Sequence, residues 1–194
     1  MNYQFYFHKK EVKRRQMTLE QWFEKGMSIE QYVSEMEKNR EHLHYIYEQF
    51  QLPKGKDQLE RNLRAIILTE DWCGDAMVNV PILMHIAEHH NIELRVLLRD
   101  KNLELMDQYL TNGTARSIPI FIFIDDEGHE VAKWGPRAPE VQERVSALMS
   151  NLPEKTAPNY DEEFKKAIKS MTTMYREDEQ IWSDVYHSIQ STLR

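Results

Sequence analysis

Along the first fifty residues the apolar positions recur at helical spacing, and beyond residue 60 they gather into short unbroken runs. Thr18, with Gln21 three residues later, reads as the capping box of a short helix through Trp22 and Phe23, ended by Gly26. Ser28 with Gln31 repeats the signal and opens a long helix. Its stripe is Ile29, Tyr32, Val33, Met36, Leu43, Ile46, Tyr47 and Phe50, and Pro53 and Gly55 stop it. The run Ala65-Ile-Ile-Leu-Thr69 then has the character of a strand covered on both faces. A helix is predicted from Gly74 to about His90, a strand over Ile92–Leu98, and a further helix from Leu103 to Leu110, broken at Asn112-Gly113. Ile120-Phe-Ile-Phe-Ile124 is a third strand, rich in β-branched and aromatic residues. Asp126-Glu127-Gly128 turns it into a fourth, about His129 to Trp134, as an antiparallel hairpin. A helix from Pro139 to about Met149 closes the series.

Strand–helix–strand–helix–strand–hairpin–helix is an α/β layout, with a mixed sheet of about four strands flanked by helices. Pro153 and Pro158 mark a linker. Beyond it Phe164, Ile168, Met171, Tyr175, Trp182, Val185, Ile189 and Leu193 keep helical spacing. The chain thus divides into an N-terminal helical extension (1–59), an α/β domain (60–151), and a linker with a C-terminal helix packing on the core (152–194).

Composition narrows the function classes. The chain has 194 residues, 41% hydrophobic and 29% charged, with a formal charge of -7. These values suit a folded protein with a real core. The apolar run from Ile118 to Ile124 is too short to span a bilayer. The N-terminus lacks the apolar stretch and small-residue cleavage site of a secretory signal. The acidic excess gives no reason to expect nucleic acid, and the basic cluster Lys9, Lys10, Lys13, Arg14, Arg15 reads as a solvated leader. With one cysteine no internal disulfide can form, and a reducing cytoplasm is the natural compartment.

That cysteine stands in the most informative string, Glu70-Asp71-Trp72-Cys73-Gly74-Asp75-Ala76, where a buried strand gives way to a helix. The N–H groups and dipole of a first helical turn favour negative charge, so a thiolate here is stabilised. Glu70, Asp71 and Asp75 oppose this, because nearby like charge raises a thiol's pKa.

Trp72-Cys73-Gly74-Asp75-Ala76 resembles the Trp-Cys-Gly-Pro-Cys active site of the thioredoxin superfamily. Pro81 corresponds to the proline that kinks the family's active-site helix. Ser117-Ile118-Pro119-Ile120 resembles its cis-proline segment, and Trp134-Gly135 follows the last strand where the family commonly has glycine. The resemblance covers about residues 60–151 and implies a thioredoxin-like fold with Pro119 in a cis bond opposite the thiol. The departures are equally informative. Ala76 replaces the second cysteine, Asp75 the intervening proline, and Ile67 the buried proton-shuttling aspartate. A dithiol cycle within the motif is therefore impossible.

Two functions stand side by side. In the first, Cys73 is the nucleophile of a monothiol exchange with a low-molecular-weight thiol or a protein disulfide, resolved by a second molecule's thiol. The resemblance then implies that Gly74, Asp75 and Ala76 form the helix start and that Ile118 pairs with the thiol peptide through its backbone. Pro119 shapes the groove, Trp72 offers a flat contact, and Arg116 and Arg137 could grip ligand carboxylates. In the second, the chain is a redox-inactive binding or adaptor module that uses the groove and the flanking helices. The apolar stripes of those helices pack on the core or form a homodimer or partner surface. No metal or cofactor is expected. Asp71, Cys73 and Asp75 mix hard and soft ligands, His85 and His89 lack a third ligand and read as a solvated helix face, and there is no phosphate-binding loop.

Overall fold

The computed structural model describes residues 16–55, 59 and 61–194; the basic leader predicted to be solvated lies largely outside them. α1 (Leu19–Lys25) starts at the Thr18–Gln21 capping box. A two-residue strand β1 (Met27–Ser28) leads into α2 (Ile29–Glu35) and α3 (Arg40–Gln49). Then come β2 (Arg64–Thr69), α4 (Gly74–His90), β3 (Glu93–Leu98), a 3-10 turn and the single-turn α5 (Leu103–Met106). β4 (Ile120–Ile124), β5 (Glu130–Trp134), α6 (Pro139–Ser150), α7 (Tyr160–Glu177) and α8 (Glu179–Leu193) complete the chain.

The strands form one mixed sheet in the order β1-β3-β2-β4-β5. β2 runs parallel to β3, while β4 is antiparallel to both β2 and β5. The central strands β2 and β4 carry the continuous apolar runs and are buried almost throughout, because helices cover both faces of the sheet. The fifth strand, beyond the four expected, is β1, which pairs antiparallel with β3 at the edge.

Three expected helices differ. The long helix from Ser28 is two, because Met36 turns extended and Asn39 takes a left-handed conformation. The cause is tertiary: Asp71 accepts hydrogen bonds from the amides of Glu37 and Lys38, each at 3.0 Å, and its carbonyl accepts from Asn39 Nδ2 at 2.9 Å. The helix predicted over 103–110 ends at Met106, where amides tighten to i−3 carbonyls and the chain enters the Thr111–Ala115 turn. The C-terminal stripe breaks at Asp178, whose carboxylate caps α8 by accepting from Gln180 N at 2.9 Å. α8 then packs Trp182, Val185 and Ile189 into the core against α4, α6 and β5.

Candidate functional site

Cys73 caps the N-terminus of α4, directly after the buried strand β2. Only 6% of it is exposed. Its thiol donates a hydrogen bond to the Ile118 carbonyl at 3.3 Å, and the Ile118–Pro119 peptide that follows is cis. The structure therefore brings Cys73, Ile118 and Pro119 together from opposite ends of the sequence motif set. Gly135 makes this contact possible. It sits at φ +123, and a Cβ there would lie 2.2 Å from the Pro119 carbonyl oxygen. No other residue allows the backbone after β5 to approach so closely.

Asp75 turns inward from the first turn of α4. Its carboxylate takes both arms of the Arg137 guanidinium, at 2.5 and 2.7 Å, and the Tyr175 hydroxyl at 2.6 Å. Tyr175 comes from α7 and is fully buried, and its carbonyl in turn accepts from Trp182 Nε1 at 2.8 Å. Asn79, one turn further along α4, holds the Pro136 carbonyl at 3.0 Å. The start of α4 is thus strapped to the loop after β5 and roofed by α7, whose Met171 lies beside Gly74. Burial in this environment pushes the Cys73 thiol up to about 11, and the Asp75 charge adds to the effect. The amides of Ala76 and Asp75 and the Arg137 charge pull the other way and do not offset it. Of the three carboxylates near the thiol in sequence, Glu70 is turned to the Asp100 amide at 2.8 Å and Asp71 to the α2–α3 break.

Trp72 is 44% exposed, with the Arg99 guanidinium 4.9 Å from its ring. Ala76 is buried at the position of the resolving thiol, and Ile67 is buried in β2. Both arginines expected to hold a ligand carboxylate are paired with carboxylates of this chain. Arg137 is on Asp75, and Arg116 forms an exposed two-pronged pair with Asp107 at 2.6 and 2.9 Å. A planar guanidinium fork and a carboxylate are matched geometrically, which accounts for both two-pronged pairs. His89 is exposed, and His85 is half-buried: its ring stacks on Tyr47, and its Nε2 lies 2.8 Å from the Tyr47 carbonyl. Among the described residues, the one cluster with ligand atoms close enough for an ion is Asp125, Glu127 and His129. It lies in the β4–β5 turn, at the far end of β4 from Pro119, where Asp125 already accepts the Glu127 and His129 amides.

Sequence reasoning missed Tyr175 and the Asp71 clasp. Tyr175 was visible as a member of an apolar helical stripe, and its hydroxyl was the one sign that the stripe had a polar duty.

The model of a family described as thioredoxin matches residues 26–152, so the match includes the edge strand β1. Among solved structures, a protein of unknown function from Pseudomonas aeruginosa superposes with a TM-score of 0.62 at 17% identity, over 90% of this chain and 98% of its own. An HIV epitope-scaffold gives a TM-score of 0.57 at 17% identity, over 90% and 99%. At such identity the likeness is one of fold. No curated protein matches the sequence.

Proposed function

The chain belongs to the thioredoxin family, and from that membership we propose that it acts as a redox-inactive binding module in which Cys73 is a buried structural thiol. One observation carries this reading. The Cys73 thiol donates to the carbonyl of Ile118, the residue whose backbone groups the family resemblance assigns to a docked peptide, and so turns the sulfur onto the chain's own backbone. Burial pushes the thiol's pKa up to about 11, so little of it is the nucleophilic thiolate at neutral pH. Ala76 and Ile67 agree, since neither can resolve a disulfide or relay a proton. The binding surfaces in this reading are the groove beside Trp72 and the exposed side of α7, where Phe164 and Ile168 stand in solvent. Aromatic and branched apolar residues of this kind suit a protein partner or a second copy of the chain. A single thiol in a chain without disulfides suits the cytoplasm, and no helix among the described residues is long and apolar enough to cross a membrane.

A second reading keeps Cys73 as a monothiol nucleophile. It is favoured by the Asp75 and Ala76 amides, which face the sulfur and stabilise its thiolate. In that chemistry the thiolate attacks one sulfur of a low-molecular-weight or protein disulfide. The old S–S bond breaks, one thiolate leaves, and the mixed disulfide is resolved by a further thiol. Alkylation by iodoacetamide across pH, with mass spectrometry after incubation with oxidised glutathione, separates the two. The binding-module reading expects slow alkylation at neutral pH and no adduct. Rapid alkylation with a single adduct that Cys73→Ser abolishes would replace it with the monothiol reading.

A further inference from the structure

The β1 edge of the sheet, two strands from the β2 that leads to Cys73, is incompletely paired. β1 ends at Ser28 because the Ser28 hydroxyl caps α2, accepting the Gln31 amide at 3.2 Å. Its ladder with β3 therefore covers Met27↔Val96 and Ser28↔Arg95 and no more, although β3 begins at Glu93. Among the described residues no strand continues this pairing beside Glu93 and Leu94. Such a stub of open main chain on a strand edge is a template for another extended segment.

Glu93 is exposed and Leu94 is buried. The stub forms one wall of a groove of about 960 Å³ between α2, α3, the end of α4 and β3. Val33, Leu43, Met84 and Leu94 give it apolar lining, with Val33 and Met84 half-buried. Its rim carries Glu30, Glu88 and Glu93 against Arg40 and Arg95. Arg95 is drawn onto Glu93 at 2.6 Å, and its Nε is buried with no acceptor.

We propose that this groove receives an extended segment of a partner protein, which adds to the edge of β3 in line with β1 and carries apolar side chains alternating with lysine or arginine. An extended polypeptide is the occupant that meets both features at once. Its backbone supplies the N–H and C=O groups the strand edge lacks, and its alternate side chains fall on the apolar lining. The remaining side chains face the rim, where Arg95 offsets Glu93 and Glu30 and Glu88 stand against Arg40 beside His44, in a chain of net charge -7, so basic side chains suit it better than acidic ones.

The test uses the full chain and a fluorescein-labelled hexapeptide, Val-Lys-Val-Thr-Val-Lys, with Val-Glu-Val-Thr-Val-Glu as control. Fluorescence anisotropy should saturate with the basic peptide and not with the acidic one, and Val33→Glu should weaken binding at least ten-fold. On binding, the amide of Glu93 or Leu94 should exchange with deuterium at least ten-fold more slowly, which apolar docking alone would not cause. Circular dichroism checks the fold of V33E, and Val33→Thr serves in its place if that variant unfolds. Cys73→Ala should change none of these readings, so this site stands or falls apart from the thiol. Absence of saturable binding, equal binding of the acidic peptide, or unchanged exchange at both amides would overturn the proposal. A concentration-dependent dimer abolished by V33E would also overturn it, by making a second copy of the chain the occupant.

Discussion

Tyr175 donates its hydroxyl to Asp75 at 2.6 Å across 100 residues of chain, joining the C-terminal helices to the first turn of the thiol-bearing helix. The bond is buried and its acceptor is charged, so it is one of the stronger single links in the molecule. Tyr175→Phe keeps the ring and deletes the donor. The variant should lose about 1.5–3 kcal/mol in urea unfolding, with the Arg137 pair still holding Asp75 in place.

Asp75→Asn removes the charge that helps to raise the Cys73 pKa and frees the Arg137 charge to favour the thiolate. The midpoint of Cys73 alkylation against pH should therefore fall below the wild-type value of about 11. It should still stay above that of an exposed thiol, because burial is the larger cause. The same change takes the charged partner from Arg137, which keeps Gln142 Oε1 at 2.8 Å and the new amide oxygen as acceptors, so the stability cost should be about 1–3 kcal/mol. An unchanged alkylation midpoint in a folded D75N protein would show that Asp75 does not govern the thiol.

Much of this arrangement is legible in the chain, and what is not has a common cause. The runs Ala65–Thr69 and Ile120–Ile124 announce β2 and β4 because a strand covered on both faces needs apolar residues at every position. The helix predicted from Gly74 to about His90 matches α4. The α2–α3 break is hidden because Met36 and Leu43 both still face the core, so the stripe runs across it unmarked. What unwinds the helix there is Asp71, more than thirty residues later. Cys73 and Pro119 stand out by family resemblance, whereas the partners of Asp75 do not. No spacing rule links Asp75 to Arg137 or Tyr175, and a helical stripe gives no warning that one of its tyrosines anchors a buried carboxylate.

Gly135→Ala tests how tightly the Pro119 loop is held. The new Cβ would meet the Pro119 carbonyl oxygen at 2.2 Å, and the backbone there is at φ +123. Backbone atoms on both sides leave no flexible side chain to yield, so the loop must shift. The expected loss is at least about 2 kcal/mol in chemical unfolding. Cys73 should become easier to alkylate as its Ile118 acceptor moves away. A variant as stable as the parent, with the same alkylation rate, would mean that this close approach is not needed to hold the thiol.

Cys73 also makes a prediction about stability at alkaline pH. Its ordinary value is 9.0, and in the folded chain burial raises it to about 11. Between these values the unfolded chain has released the thiol proton and the folded one still holds it. The folded state binds more protons there, so stability falls as pH rises through that window. The contribution is fully present below about pH 9 and is gone above about pH 11, and its loss amounts to about 2–3 kcal/mol. Tyrosines and lysines also titrate in this range, so the informative quantity is the difference between wild type and Cys73→Ser, which lacks the ionising group. That difference should be constant from pH 7 to about 8.5 and then shift against the wild type by about 2–3 kcal/mol by pH 11. A difference that stays flat across the whole range would mean that the thiol ionises alike in the folded and unfolded chains. Cys73 would then be an accessible group, and the case for a structural thiol would fall with it.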